Sequence, residues 1–220
     1  MLNSDPQLEY WDRVGPTKRF SHPVNFDRLT DLVMPHSRIL DVGCGYGRTL
    51  QELGDRGYDN LLGVDPAPTM VAAARARVPS ASVQEMEPPW LPVPDGSVDA
   101  VLMFSLLTCI PGDDDQRAAI GEAERVLRPT GLLYISDLWL QDDERNRARY
   151  DRYADTYGRY GVFELPEGVV LRHHEREWID ELTSSFHRLA LDDRRVRTMN
   201  GHDADAFQWF GCKRTTPRTP

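Results

Sequence analysis

The sequence predicts an α/β fold built on a parallel sheet, and three observations carry that expectation. Short β-branched or aliphatic runs alternate with helical patterns from Arg38 to about Leu138, the signature of βα units that feed a parallel sheet. The first of these runs ends in three alternate glycines, Gly43, Gly45 and Gly47, and passes straight into a helical stretch. The chain has 220 residues, 40% of them hydrophobic, which is enough for one substantial core and too little for two full-sized domains.

Taken in order, the elements begin with an aromatic segment at residues 8–20, containing Tyr10, Trp11, Arg13 and Lys18. The helical pattern Phe26, Leu29, Val33 follows, so residues 1–36 are expected to form an N-terminal helical cap. Strands are expected at residues 38–42, 61–64, 81–85, 98–104 and 132–137, each an apolar run bounded by Gly, Pro or Asp. Between them, an Ala-rich helix at 69–78 is stopped by Pro79. A second helix starts at Asp113-Asp114-Asp115, carries Ile120, Ala123 and Leu127 on one face, and stops at Pro129. Residues 141–174 are polar and Tyr-rich, and 176–186 reads as a helix. Two strand-like runs, 189–198 and 206–213, flank Asn200-Gly201, a dipeptide that favours a hairpin turn. Residues 215–220 read as a disordered tail, which leaves 37–214 as the main domain with 141–174 inserted in it.

Charge and cysteine content narrow the function classes. With 35 acidic against 26 basic side chains the formal charge is −9, so the surface repels phosphate backbones and no nucleic-acid partner is expected. The longest nearly unbroken apolar run, residues 100–110, is about half the roughly 20 residues of a spanning helix, and no signal segment opens the chain. No membrane partner is expected. Cys44, Cys109 and Cys212 are widely spaced and odd in number, which points to free thiols in a reducing, cytoplasmic setting.

The glycine loop is the main chemical signal. Glycines let a backbone turn sharply and approach a ligand that a Cβ would block, although many strand-to-helix turns contain Gly for structural reasons alone. Here the second strand also ends in an acid, Asp65, about 20 residues past the loop, where a carboxylate can accept hydrogen bonds from both ribose hydroxyls of a nucleoside. A dinucleotide fingerprint would place its third glycine at position 48, which is Arg, and a pyrophosphate tolerates poorly a carboxylate such as Asp41 just before the loop. A cofactor with a cationic end fits better.

Four stretches taken together, residues 41–47, 63–65, 91–99 and 126–131, resemble the successive motifs of class I S-adenosylmethionine (AdoMet)-dependent methyltransferases of the small-molecule type, with a methyltransferase-11/25-like domain. The resemblance implies a doubly wound, Rossmann-like sheet of seven strands, order 3-2-1-4-5-7-6, with the last strand antiparallel and a lid insertion after strand 5. It also implies AdoMet as cofactor and S-adenosylhomocysteine (AdoHcy) as product. By the same resemblance, Gly43, Cys44 and Gly45 pass under the methionine portion, Asp41 lies near its ammonium, and Asp65 with Pro66 holds the ribose. Either Glu85 or Glu87 meets the adenine amino group, Met86 lies beside the ring, and Phe104 lines the methionine arm. Tyr10-Trp11 resemble an aromatic helix folded over the cofactor, or else they cover the sheet's apolar edge. The chain departs from the family at Ala67, where a helix-capping Ser is usual, and at Thr108-Cys109, where a His pair is frequent.

In a parallel sheet, ligands bind outside the carboxyl ends of the strands, so the remaining strand exits are the places to look for a substrate. Tyr150, Tyr153 and Tyr157 share one helical face, with Tyr160 in phase; they either pack the segment down or wall the substrate beneath a lid. Asn200 belongs to the hairpin turn on the ligand side. His22, His174 and His202 are the candidate bases, since an imidazole near neutral pKa can take the acceptor's proton. No metal site is expected, because no carboxylate follows the fourth strand to join Asp137. The reading is a metal-independent methyltransferase acting on an O, N or C nucleophile of a small-molecule acceptor. A non-catalytic AdoMet-binding regulatory module, or a nicotinamide-dependent oxidoreductase, are the alternatives; the oligomeric state is not legible.

Overall fold

The computed structural model describes residues 6–214, so the tail expected at 215–220 and the first five residues of the expected cap lie outside the described residues. The strands in chain order are β1 (Ile39–Val42), β2 (Leu61–Asp65), β3 (Ser82–Glu85), β4 (Val98–Phe104), β5 (Leu127–Leu138), β6 (Val162–Glu164), β7 (Val170–Arg172), β8 (Phe186–Arg197) and β9 (Asp203–Lys213). Seven of them form one sheet in the order β3-β2-β1-β4-β5-β9-β8, while β6 and β7 pair separately. Leaving that small hairpin aside, this is the expected order: β1 to β5 are parallel, and β9 runs antiparallel to both β5 and β8.

The central strands are largely apolar because both faces are covered, the acids Asp41 and Asp65 lying near their carboxyl ends. Every residue of β1 and β2 is buried. Along β4 successive side chains alternate, Val101 and Met103 joining the core on one face and Ala100 and Leu102 the core on the other. The first core also takes Ile120, Trp178 and Trp209; the second takes Leu29, Leu50, Tyr134 and Phe210. Fully burying such aliphatic side chains contributes about 1.5–3 kcal/mol each.

The helices are α1 (Pro6–Val14), α2 (Phe26–Leu32), α3 (Arg48–Gly54), α4 (Pro68–Arg77), α5 (Asp113–Val126), α6 (Glu144–Tyr157) and α7 (Arg176–Leu182). Two ends differ from the sequence reading, and in both a strand pairing overrides the helical pattern. α5 stops at Val126 rather than near Pro129, because Leu127 turns extended and pairs with Val98 as the first residue of β5. α7 stops at Leu182, four residues early, because Phe186 pairs with Lys213.

The inserted segment holds α6 and the β6–β7 hairpin, which the sequence reading did not anticipate, since three-residue strands are too short to show a period. Asp143 caps α6 by accepting from the Asn146 amide at 3.1 Å, and Gly158 ends it in the left-handed region. α1 ties this insertion to the start of the sheet. Gln7 donates to the Val170 carbonyl (2.7 Å) and accepts from its amide (2.8 Å), while Asp12 accepts from the Thr69 amide (2.8 Å) at the head of α4. Among the described residues no helix is long and apolar enough to cross a membrane.

Candidate functional site

The loop from β1 to α3 is shaped by its backbone. The amides of Gly43 and Cys44 both donate to the Val64 carbonyl (2.9 and 3.0 Å), folding the loop back over the end of β2. That turn puts Gly43 at φ +70° and Gly45 at φ +51°, in the left-handed region where a Cβ is strained. A Cβ on Gly43 would also stand 2.8 Å from Leu106 Cδ1.

Asp65 completes the loop. One carboxylate oxygen accepts from the Gly45 amide and the other from the Ala67 amide, both at 2.9 Å. Where Ala67 has no capping hydroxyl, the Asp65 carboxylate supplies the acceptor just before α4. Burial raises the Asp65 carboxyl above the usual range, against the pull of those two amides.

Asp41 is 1% exposed, and its Oδ2 has no hydrogen-bond partner. Burial pushes its carboxyl up to about 7, with Arg48 opposing and Asp65 adding. A buried acceptor lacking a donor is costly unless something cationic or hydrogen-bonding reaches it. Asp41, Gly43, Cys44, Gly45, Asp65, Pro66 and Phe104 line one cavity of about 120 Å³. It continues past Gly43 and Pro66 into a groove of about 510 Å³ walled by Met86 and Leu91.

Of the two acids proposed for the far end, Glu85 pairs with Asp65 in the β3–β2 register, and the next amide, of Met86, donates to the Asp65 carbonyl at 3.2 Å. Glu87 instead bridges to Trp90 in a turn. Both acids are exposed.

A larger cavity, about 550 Å³, opens beside the first, and Trp11, Phe20, Ser105 and Cys109 line both. Ser105 sits at the junction with φ +52°, which an L residue adopts only under constraint; its amide donates to the Ser136 carbonyl at 2.8 Å. Trp11 faces both cavities and the groove, but Tyr10 does not. It stands edge-on behind Trp11, with centroids 5.0 Å apart, buried with Tyr150, Phe163 and Leu171. The expectation of Tyr10 as a cofactor contact is corrected, because the helix turns it about 100° from Trp11 and into that apolar cluster.

The histidines separate sharply. His22 lines the larger cavity, with Nδ1 3.1 Å from Ser136 Oγ, and burial together with Arg48 lowers it to about 4. His202 is at the exposed rim, and Asn200, in the same turn, lines the cavity with it. His174 is elsewhere: its Nδ1–H donates to the Leu138 carbonyl (3.1 Å), and its Nε2 meets the Gln116 amide (3.0 Å). Both ring nitrogens are committed and burial lowers it to about 3, so His174 is a structural residue and that expectation falls. The neighbouring His173 lines the cavity instead, with Nδ1 2.5 Å from the Tyr150 hydroxyl.

The tyrosine expectation is corrected as well. Tyr150 is fully buried against Phe163 and Tyr160, and neither it nor Tyr153 nor Tyr157 lines the cavity. The aromatic stripe faces α1 and the hairpin, where apolar surface is removed from water, and Arg145, Asn146 and Arg149, within and beside that stripe, line the cavity. Ser105, Phe20 and these three residues were missed. On the helical wheel Asn146 falls among the tyrosines and Arg145 and Arg149 flank them on one side; the signal absent from the sequence is where along that arc the covering ends. Among the described residues no group of three or more His, Cys, Asp or Glu stands where it could hold a metal ion.

A glycine loop at a strand switch, an acid ending β2 and a seven-stranded sheet with an antiparallel last strand define the class I AdoMet-dependent methyltransferase fold. Comparison agrees: residues 40–135 match the family described as methyltransferase domain. An uncharacterized methyltransferase of Mycobacterium tuberculosis is 32% identical over 187 residues, covering 81% of this chain and 73% of its own. A ubiquinone biosynthesis O-methyltransferase of Xanthomonas campestris pv. campestris is 32% identical over 179 residues, covering 77% and 69%. The crystal structure of a SAM-dependent methyltransferase from Methanosarcina mazei superposes with a TM-score of 0.81 at 22% identity, covering 86% of this chain and 98% of that one. The chain belongs to the methyltransferase family.

Proposed function

We propose that this protein is an AdoMet-dependent methyltransferase whose acceptor is a small molecule bound in the 550 Å³ cavity. The observation that carries the reading is the shared wall. The cavity holding the glycine loop and Asp41 meets the larger one at Trp11, Phe20, Ser105 and Cys109, so a donor in one and an acceptor in the other would touch there. Bound AdoMet would supply an electrophilic methyl group. Asp41 Oδ2 would take the cofactor's ammonium, the Gly43 to Gly45 backbone its methionine arm, Asp65 its ribose, and Met86 with Glu85 its base. Trp11 and Phe20 close the junction against water.

His22 is the base this reading favours. It bonds to Ser136, whose carbonyl holds Ser105 at the junction, and with a pKa of about 4 it is neutral at physiological pH. A weak base suffices for a hydroxyl acceptor, because the oxygen's proton becomes strongly acidic as the methyl arrives. The α6–β7 insertion is the lid over the acceptor, and the reaction needs no metal ion. In the alternative of a regulatory AdoMet module the larger cavity would bind nothing.

Calorimetric titration with AdoHcy and with NADH, then transfer from methyl-labelled AdoMet across a panel of phenols, amines and hydroxy acids with and without EDTA, tests each part. AdoHcy binding with labelled product and no EDTA effect is expected. NADH binding in preference to AdoHcy, or AdoHcy binding with no acceptor methylated, would overturn the enzyme reading.

A further inference from the structure

Resting on the reading of the larger cavity as the acceptor's, we propose that the acceptor carries a carboxylate, held at Arg149, in addition to the nucleophile that receives the methyl group. The cavity contains a guanidinium with no ion-pair partner among the described residues and polar atoms with nothing to bond. Among the described residues six buried side-chain polar atoms lack a hydrogen-bond partner, and three of them, Trp11 Nε1, Asn146 Oδ1 and Arg149 Nε, belong to residues that line this cavity.

Arg149 is the decisive one. Its guanidinium lies over the Phe163 ring, 3.5 Å from the centroid, with the neutral Tyr150 phenol beside it, and no described carboxylate comes within ion-pairing distance. Burial weakens its hold on the proton and Arg145 one turn away adds to that, while the Tyr150 hydroxyl and the more distant Asp143 offset it in part. A half-buried guanidinium whose Nε is sealed from water without a partner is costly, whereas paired with a carboxylate it makes one of the strongest hydrogen bonds available to a protein. Such a site is stabilised by the ligand that completes it.

The other acids at the cavity set the ligand's charge. Glu167 stands 3.7 Å from Lys18, and Glu164 accepts from the Tyr157 hydroxyl at 3.5 Å, so neither reaches Arg149. Both would repel a dianion such as a phosphomonoester, which favours a monoanionic carboxylate. Asn146, 1% exposed, gives its amide NH₂ to Asp143 and so leaves Oδ1 as an acceptor. The ligand should therefore also offer a hydroxyl or amine near its carboxylate.

The test uses the full-length protein and two separate readouts. AdoHcy affinity is measured for the wild type, Arg149→Gln and Arg149→Lys. At saturating AdoHcy, 4-hydroxybenzoate and 3-hydroxybutyrate are then titrated against their own primary amides. The wild type should bind at least one acid about tenfold or more over its amide. Arg149→Gln should bring that ratio near one and Arg149→Lys restore part of it, with AdoHcy affinity unchanged in all three. Acids and amides binding alike, neither acid binding, a preference that survives Arg149→Gln, or phenyl phosphate binding above benzoate would overturn the proposal. Failure of the wild type to bind AdoHcy would instead overturn the underlying methyltransferase reading.

Discussion

At the β1–α3 loop the groups that line the cavity are glycine backbone and two short carboxylates, Asp41 and Asp65, fixed by the parallel sheet. At α6 they are polar side chains, Arg145, Asn146 and Arg149, on a helix that belongs to the insertion and packs on α1 and the hairpin. The two regions meet at Trp11 and Ser105. A site made of backbone tolerates little variation in residue type and binds one cofactor; a site made of side chains on an insertion can change its ligand without disturbing the sheet. The difference is open to experiment, beginning where the backbone end should be most fragile.

Asp65→Ala is the largest effect expected. The carboxylate holds the amides of Gly45 and Ala67, each charged bond worth about 1.5–3 kcal/mol. Removing it should lower Tm by roughly 10 °C and weaken AdoHcy more than about 100-fold. Loss of affinity without loss of Tm, by calorimetry and thermal melts, would show that the loop stands without its acid. That outcome would break the distinction between the two regions.

Asp41 gives a pH signature that the acceptor end lacks. Its carboxyl, raised to about 7 by burial, is mostly protonated below that pH in the free protein, and an ammonium beside it favours the ionised form. AdoHcy binding should release a proton near neutrality, and affinity should rise about tenfold from pH 6 to pH 8. The sign for stability is opposite: a raised carboxyl binds more protons folded than unfolded, so the free protein loses stability as pH climbs from about 4 to about 7. Asp41→Asn should flatten both profiles. A wild-type affinity independent of pH would remove Asp41 from the ammonium site.

Tyr150→Phe probes the other region. Its hydroxyl lies 2.5 Å from His173 Nδ1 and accepts from the Gln141 amide at 3.3 Å, so its loss should cost about 1–2 kcal/mol and lower Tm by about 3–6 °C. AdoHcy affinity should not move. A change in acceptor kinetics at constant Tm would mean that the tyrosine face, not the arginine face, meets the ligand.

How far each region can be read from the sequence follows the same division. The sheet order and the glycine loop were legible because backbone geometry leaves a mark on residue type: positive φ selects Gly43 and Gly45, and two covered faces select the apolar runs of β1 and β2. α6 was legible as a helix but its orientation was not. Periodicity separates Tyr150 from Arg149 without saying which is covered, and that was decided by Tyr10 and Phe163, far away in the chain. His173 and His174 show the limit most plainly. They are adjacent in sequence, yet the extended chain just past β7 turns one towards the cavity and the other to Gln116 and Leu138.

The smallest effect concerns Glu85 and Glu87, two exposed acids that the sequence alone could not separate. The strand register does so: Glu85 lies directly across from Asp65, so a ligand held at Asp65 extends past Glu85 first, whereas Glu87 is turned away in the bridge to Trp90. An exposed carboxylate accepting one hydrogen bond from a neutral amino group contributes at most about 1 kcal/mol. Glu85→Gln should therefore weaken AdoHcy about three- to fivefold and Glu87→Gln not measurably, with Tm unchanged in both, since neither carboxylate holds the fold. Neither substitution should alter discrimination between an acid and its amide in the larger cavity, which the proposal assigns to Arg149. If Glu87→Gln is the weaker binder, the β3 end shifts by two residues when the cofactor enters, and the backbone end of the site is less rigid than its hydrogen bonds imply.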